Sequence, residues 1–262
     1  MGITKGWLNR AKKLESPNAD PRPDANDISL LVIHNISLPP AQFGGPYIEQ
    51  LFSNNLNPDD HPYFRDIYKL QVSSHLLIDR QGNITQFVPF DQRAWHAGVS
   101  CWKNRKNLNN KSIGIEIQNS GHKNKYESFS IKQIKSLLLL TKILKKKYNI
   151  KSKNFLGHSD ISPERKKDPG EKFPWKYLAK HKIGIWYDLP KKDRTLRGIE
   201  VSKKNKKLFL LYLKKIGYCF KNKYTNFATK AFQRRFRSKI INGKIDNECL
   251  EIAKNLIKRG LN

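Results

Sequence analysis

Two histidines and one aspartate occupy positions in the sequence that suit a catalytic zinc site. His34 lies near the carboxyl end of the apolar run SLLVIHN, and His158 and Asp168 lie near the two ends of the segment GHSDISPERKKDPG. Two imidazoles and one carboxylate can bind zinc and leave a fourth position for water, as in catalytic zinc sites. Ordinary loops also contain histidine and aspartate. From the spacing alone, these three could therefore be unrelated polar residues that form no metal site.

A glutamate and a lysine are candidates for the proton transfer and charge stabilisation that a hydrolase needs. In SIGIEIQN, residues 112–119, three isoleucines alternate with Gly114 and Glu116. Strand geometry therefore turns Glu116 away from the isoleucine face. Lys166 lies two residues before Asp168. Judged by residue type alone, Glu116 could equally be a surface carboxylate at a strand edge, and Lys166 one more solvated lysine.

The segments around these residues predict an α/β fold with a mixed sheet and packed helices. Residues 29–35 are apolar without alternation, which is typical of a strand buried on both faces. Residues 72–79 and 83–90 flank a glycine-containing turn and predict a hairpin. Residues 130–148 have helical apolar spacing after a serine N-cap, and NFLGH predicts a further strand.

A second, smaller domain is expected after the polar linker DLPKKDRTLRG. Residues 206–216, 226–236 and 247–258 each show helical periodicity. We therefore predict a catalytic domain over residues 1–190 and a three-helix domain over residues 191–262. A bundle of this size could also serve only to stabilise the first domain or to mediate dimerisation.

Charge is the most unusual feature of the composition. The 262 residues carry a formal net charge of +29, which could indicate a polyanionic partner such as nucleic acid. Lysine is spread over nearly the whole chain, so we interpret the charge as solvated surface and expect no nucleic-acid partner. No apolar run is long enough to span a membrane, and the amino terminus lacks the apolar segment of a secretory signal. These features predict a cytoplasmic protein, which we expect to be a monomer.

The cysteines predict no disulfide bond. Cys101, Cys219 and Cys249 are odd in number, widely separated and without a CxxC spacing. Neither a disulfide framework nor a thiolate zinc site is therefore expected. This pattern agrees with a reducing cytoplasm.

Five long motifs follow one another along the first domain. They are LLVIHNISLPPAQFGGPYI, NPDDHPYF, VSSHLLIDRQGNITQFVPFDQRAWHAGVS, SIGIEIQN and GHSDISPERKKDPG. In this order they resemble the AmpD family of N-acetylmuramoyl-L-alanine amidases, and several long motifs are far more specific than one short pattern. The resemblance implies hydrolysis of the bond between N-acetylmuramic acid, or its 1,6-anhydro form, and the L-alanine of a peptidoglycan stem peptide. It also implies a role in recycling the cell wall.

The resemblance also assigns roles to the candidate residues. It implies that His34, His158 and Asp168 hold the zinc ion and that Glu116 is the catalytic acid and base. It implies that Lys166 assists where negative charge develops on the substrate. No cofactor besides zinc is expected.

Three further residues are expected to contact the substrate. The segment RAWHAGVS, with Trp95 and His96, resembles the substrate cleft of the family, and Asn35 follows the first zinc ligand. The aromatic face of Trp95 could pack on a sugar or a peptide, although packing in the protein core is an equally good interpretation.

The sequence departs from the family where the stem peptide is held. The resemblance implies arginines near the positions of Gln71 and Asn107 that pair with carboxylates of the peptide, and neither is present. Loss of such charge-assisted pairs weakens recognition of a carboxylate. Arg105, Lys106 or Lys111 could compensate from the same region.

The helical segment carries a second resemblance. ATKAFQRRFRSKIINGKIDNECLEIAKNL resembles a peptidoglycan-binding module, and PWKYLAKHKIGIWYDL resembles AmiD amidases, which combine a similar zinc domain with such a module. This favours, as an alternative, an enzyme that acts on intact peptidoglycan. A non-catalytic peptidoglycan-binding protein is a further alternative, although such proteins typically lack a complete zinc triad.

Overall fold

The computed structural model describes residues 2–122, 126–190 and 196–260. Its strands are β1 (Ile3–Thr4), β2 (Trp7–Leu8), β3 (Lys12–Lys13), β4 (Ala19–Pro21), β5 (Leu30–Ile36), β6 (Leu76–Ile78), β7 (Ile84–Gln86), β8 (Gln92–Ala94), β9 (Cys101–Trp102), β10 (Arg105–Lys106), β11 (Ser112–Gln118) and β12 (Phe155–Gly157). Its α-helices are α1 (Tyr47–Phe52), α2 (Ile131–Lys147), α3 (His158–Ile161), α4 (Trp175–Lys180), α5 (Lys203–Ile216), α6 (Thr225–Phe236) and α7 (Asn247–Lys258).

The main sheet has six strands in the order β12-β5-β11-β6-β7-β3. Strands β12, β5, β11 and β6 run parallel, and β7 returns antiparallel to β6. The predicted mixed sheet is confirmed, and so is the predicted hairpin, although its strands are shorter than the apolar runs that indicated it. Strand β5 is buried on both faces: Leu31 and Ile33 belong to the apolar cluster with α2, and Leu30 and Val32 belong to the cluster with α5, α6 and α7.

Helix α2 packs against the apolar face of this sheet. Ser130 and Gln133 form a capping box at its amino end, so the serine N-cap predicted from the sequence is confirmed. Leu137, Leu140 and Leu144 are fully buried and share an apolar cluster with the isoleucines of β11. None of the helices within the described ranges is both long and apolar enough to cross a membrane.

The three predicted carboxyl-terminal helices are present as α5, α6 and α7. They share an apolar cluster with the sheet: Val32 and Leu156 of the sheet belong to the same buried cluster as Phe209, Leu213 and Phe232 of the helices. The helices are thus packed onto the part of the chain that forms the main sheet. The linker predicted near residue 190 includes residues 191–195, which lie outside the described residues.

The expectation that the cysteines form no disulfide bond was wrong. Cys101 of β9 and Cys219, just after α5, are bonded, with a Cα–Cα distance of 5.7 Å. The backbones pair at the neighbouring residues Trp102 and Tyr218, which brings the two thiols together. The bonded residues are 118 positions apart in the sequence. A spacing of this kind gives no sign of proximity, which only the packing of the helices on the sheet creates.

A buried ion pair also joins the helices to the catalytic part. Arg235 of α6 donates 2.5 Å to the carboxylate of Asp160 in α3 and 2.9 Å to the carbonyl oxygen of Phe155. Tyr218 donates to the other carboxylate oxygen of Asp160 at 2.7 Å, and the backbone N–H of Gly157 donates to the first at 2.8 Å. The FQRRF motif, predicted to belong to a wall-binding module, is therefore largely turned inward, onto the segment that carries His158.

Replacing Arg235 should destabilise the protein strongly. Arg235→Gln leaves the Asp160 carboxylate buried without its cation, and breaking a buried pair in this way costs about 3–5 kcal/mol. The free energy of unfolding, measured with a chemical denaturant, should fall by that amount. Lys254→Gln, which breaks an exposed pair with Glu251, is the matched control and should cost less than about 1 kcal/mol. Equal effects of the two variants would contradict the structural role of the buried pair.

The disulfide predicts the number of reactive thiols. Denatured without reductant, the chain should expose one thiol, that of Cys249, since Cys249 is the free cysteine and is buried in the folded state. After reduction it should expose all three. Titration with a thiol-reactive chromophore measures both numbers, and three thiols without reductant would show that Cys101 and Cys219 are not bonded in the isolated protein.

Candidate metal centre

The site lies at the carboxyl ends of three adjacent parallel strands. In the register of β11 and β5, Glu116 stands opposite His34, so both side chains leave the sheet on the same face. In the register of β12 and β5, Gly157 stands opposite Ile33, and His158 follows directly as the first residue of α3. Parallel pairing thus brings His34 close to Glu116 and His158, which lie far along the chain from it, His158 by 124 positions.

Three potential metal ligands converge at this edge. Nδ1 of His34 lies 2.9 Å from Nδ1 of His158. Oδ2 of Asp168 lies 3.2 Å from the first of these nitrogens and 3.1 Å from the second. The ligands of a tetrahedral zinc ion, with bonds of about 2.0–2.2 Å, stand roughly 3.3–3.5 Å apart. The three atoms therefore fit zinc after small outward shifts, and they form a group within which a metal ion could be held.

The protonation states of these residues also suit a metal. Burial and, to a smaller extent, the neighbouring His158 lower the pKa of His34 to about 4 against the opposing effect of Asp168, so the ring is neutral near pH 7. Burial opposes ionisation of Asp168, but the charges and hydrogen bonds of His158 and His34 hold its pKa well below the usual range. Neutral imidazoles and an ionised carboxylate are the forms that bind a metal.

Glu116 lies beside the three potential ligands but is not one of them. Its Oε1 is 3.9 Å from Nδ1 of His34, and its Oε2 is buried without a hydrogen-bond partner. Burial raises the pKa of Glu116 well above the usual range, Asp168 raises it further, and Lys166 lowers it. Lys166 is thus close enough to act on Glu116 through its charge. A buried carboxylate with an unpaired oxygen and a tunable pKa is suited to proton transfer.

The three residues predicted to contact the substrate, Asn35, Trp95 and His96, have different surroundings in the structure. Asn35 donates 2.9 Å to the carbonyl oxygen of Pro169, next to Asp168. Trp95 is half-buried, and its side chain hydrogen bonds to Asp20. His96 is buried and lies 2.9 Å from His34. Asn35 and Trp95 remain predictions as substrate contacts, whereas the geometry around His96 points to another role.

Lys106 is one of the charged residues that could replace the absent arginines, and it shares a cleft with Asn107. The cleft has a volume of about 290 Å³, and Arg165 also lines it. Lys111 instead pairs with Asp27, and Arg105 lines a different cleft.

Ser112, whose hydroxyl lies 3.1 Å from Nε2 of His96, was not among the residues predicted from the sequence. A signal was available, because the strand alternation that turned Glu116 toward the site turns Ser112 to the same face. No comparable signal marked Tyr126, which donates 2.6 Å to the carbonyl oxygen of Pro169.

The sequence matches known amidases over most of its length. A family profile described as N-acetylmuramoyl-L-alanine amidase matches residues 24–171. The 1,6-anhydro-N-acetylmuramyl-L-alanine amidase AmpD of Haemophilus influenzae is 49% identical over 179 residues, 68% of this chain and 95% of that protein. The N-acetylmuramoyl-L-alanine amidase AmiD of Escherichia coli is 34% identical over 236 residues, 84% of this chain and 86% of that protein.

Solved structures give the same two neighbours. A selenomethionine derivative of AmpD superposes with a TM-score of 0.65 at 46% identity, over 69% of this chain and 99% of that one. AmiD from E. coli, in complex with the substrate anhydro-N-acetylmuramic acid-L-Ala-D-gamma-Glu-L-Lys, superposes with a TM-score of 0.71 at 31% identity, over 100% of this chain and 98% of that one. The first likeness is confined to about two thirds of this chain, whereas the second includes the carboxyl-terminal helices.

Removing one of the three converging ligands should abolish tight metal binding. Asp168→Ala leaves two imidazoles, so we expect zinc affinity to fall by more than the 10–100-fold typical of residues that only support a ligand. Competition with a chromophoric chelator measures the affinity. Glu164→Ala, which removes an exposed carboxylate from the same segment, should bind zinc as the wild type does. Unchanged affinity in Asp168→Ala would remove Asp168 from the metal site.

Proposed function

Because the chain belongs to the N-acetylmuramoyl-L-alanine amidase family, we propose that it is a zinc-dependent hydrolase of muropeptides. The bond cleaved joins the lactyl carbonyl of N-acetylmuramic acid, in its 1,6-anhydro form, to the L-alanine of the stem peptide. The leading candidate role is recycling of soluble wall fragments in the cytoplasm. Identity of 49% with a relative named for the anhydro substrate supports this choice.

The observation that carries the proposal is the arrangement of four side chains around one point. His34, His158 and Asp168 approach one another within 3.2 Å, and Glu116 adds a buried oxygen without a partner. A buried polar atom without a partner, such as this oxygen of Glu116, is costly in a protein interior unless a ligand satisfies it. Two imidazoles and a carboxylate with room for one more ligand are the donor set of catalytic zinc.

The residues of the chain divide the chemistry between them. When bound, zinc polarises an amide carbonyl and lowers the pKa of a water molecule toward neutrality. Glu116 is placed to accept a proton from the attacking water and to return it to the nitrogen of the departing alanine. Lys166 contributes positive charge where the carbonyl oxygen becomes negative. The carbon–nitrogen bond breaks as this nitrogen is protonated, giving a free carboxylate and the free amino terminus of the stem peptide.

A second candidate role is cleavage of polymeric peptidoglycan. Two observations favour it: AmiD aligns with the whole chain, including the helices, and a disulfide joins the helices to the catalytic part. Disulfides persist in oxidising compartments and are rare in the cytoplasm. The bond cleaved and the metal would be the same, so the two roles differ in the size of the substrate and in compartment.

Product analysis tests the function and separates the two roles. The zinc-loaded protein is incubated with a soluble anhydro-muropeptide and, separately, with purified sacculi, and the products are identified by mass spectrometry. Stem peptide released from the soluble fragment alone would support recycling, and release from sacculi would support the wall-directed role. Activity should disappear after dialysis against a chelator and return with added zinc. No release from either substrate would contradict the proposed function.

Glu116→Gln should separate catalysis from metal binding. The amide keeps the size of the side chain but cannot accept the proton, so we expect turnover to fall by about 10²–10⁴-fold. Zinc affinity, measured by chelator competition, should stay within a few-fold of the wild type because Glu116 is not one of the three ligands. Full turnover in this variant would remove Glu116 from the reaction.

A further inference from the structure

His96 makes two hydrogen bonds inside the protein, one of them to a proposed zinc ligand. Its Nδ1 lies 2.9 Å from Nε2 of His34, and its Nε2 lies 3.1 Å from Oγ of Ser112. The side chain of His96 is buried. Since Nδ1 of His34 faces Asp168, His96 contacts the opposite edge of the His34 ring.

Ser112, His96 and His34 form a series of hydrogen bonds that ends at the carbonyl oxygen of Leu108. Because a carbonyl oxygen can only accept, it fixes the position of each proton in this hydrogen-bond series. Oγ of Ser112 lies 2.7 Å from the carbonyl oxygen of Leu108, and two oxygens approach this closely only with a hydrogen between them. The Ser112 hydroxyl therefore donates to Leu108 and accepts from Nε2–H of His96. A neutral His96 ring then has an unprotonated Nδ1, which accepts from Nε2–H of His34. The lone pair of Nδ1 of His34 is left facing the metal site.

We propose that Ser112 and His96 position His34 for the metal by fixing its tautomer and ring orientation. This inference rests on the proposed zinc site and replaces the substrate-binding role predicted for His96. His96 is a positioning residue, because it acts on the metal through His34. Ser112 sets the donor-to-acceptor direction of the hydrogen-bond series and thereby determines which nitrogen of His34 is free to bind the metal.

The surroundings of His96 hold the ring in this place. Its ring lies against the backbone of β11 at Gly114, where a Cβ atom would come within 2.5 Å of the ring. Glycine at this position therefore leaves the space that the ring occupies. The side-chain oxygen of Asn109 accepts from the backbone N–H groups of His96 and Ala97 at 3.2 and 2.8 Å. The backbone and the ring of His96 are thus both fixed.

The same segment orients the second histidine ligand. Nε2 of His158 lies 3.2 Å from the carbonyl oxygen of Ala97, which can only accept, so this nitrogen carries the proton. Nδ1 of His158 is then also free for the metal. Residues 96 and 97 therefore set the tautomers of both histidines, one through a side chain and the other through a backbone carbonyl.

Amide substitutions at position 96 test the two hydrogen bonds of His96 separately. His96→Asn places an amide oxygen near the position of Nδ1 and can still accept from His34. His96→Gln extends its amide toward the position of Nε2, so it contacts Ser112 and loses His34. Mutation of a residue that orients a metal-binding histidine typically lowers metal affinity 10–100-fold. By chelator competition we expect His96→Ala and His96→Gln to lose zinc affinity in this range, and His96→Asn to recover most of it.

Ser112→Ala tests the hydrogen bond between Ser112 and His96. Without the hydroxyl, His96 is free to adopt either tautomer, and we expect zinc affinity to fall by roughly 3–10-fold, at or below the lower end of that range. Ser16→Ala is the matched control, since Ser16 is another buried serine that donates to a backbone carbonyl, that of Phe52, away from the metal site. It should bind zinc as the wild type does. Thermal unfolding of each metal-free variant verifies that it is folded.

The outcomes separate this inference from the proposed function. Zinc binding by the wild type with unchanged affinity in His96→Ala and Ser112→Ala would overturn the inference and leave the metal site standing. A wild-type chain that binds no zinc would overturn both. Long-range ¹H–¹⁵N correlation spectra of the zinc-loaded wild type give an independent measurement. We expect protons on Nε2 of both His34 and His96, and a proton on Nδ1 of His96 would overturn the inference without the use of any variant.

Discussion

The parallel pairing of β5 with β12 on one side and β11 on the other is the constraint on which the site depends. Because all three strands point the same way, the residues at their carboxyl ends meet at one edge of the sheet. The register places Glu116 beside His34 on one side and His158 beside it on the other. A shift of one residue in β11 would turn Glu116 to the opposite face and replace it with an isoleucine. The apolar face against α2 prevents this shift, so the packing of the core maintains the geometry of the metal site.

The third ligand and the carboxyl-terminal helices depend on this edge in turn. Asp168 lies at the end of the segment that begins with His158, and a backbone bond from Ser159 to the carbonyl of Asp168 closes the segment. Asp160, inside the same segment, is held by Arg235 and Tyr218 of the helical part. The helices therefore support the residues that carry two of the three proposed ligands. Any part they play in binding the wall is additional to this structural role.

Polar groups around the ligands leave little freedom for the side chains that would hold zinc. His34 and His158 each have one nitrogen engaged within the protein and the other directed at Asp168. Burial keeps the pKa of His34 low, so the ring is neutral without a metal. A site in which the His34 ring is neutral and both histidine side chains are held by hydrogen bonds requires little rearrangement when a cation binds. Such preorganisation would also fix the position of a bound metal relative to Glu116, as the proposed proton transfer requires.

The sequence by itself determined the main strands and helices, the Ser130 N-cap and the residues of the proposed metal site, because strand alternation, helical spacing and the long motifs around His34, Glu116, His158 and Asp168 are local properties of the chain. Tertiary structure alone decided three other features. The Cys101–Cys219 bond joins residues 118 positions apart, the FQRRF motif turns toward Asp160, and His96 contacts His34 from a loop 62 residues away. Each depends on which surfaces of distant segments meet. Burial of apolar area favours the packing of distant segments but is not directional, so it does not select which segments pack together. Periodicity and residue type therefore do not predict these contacts.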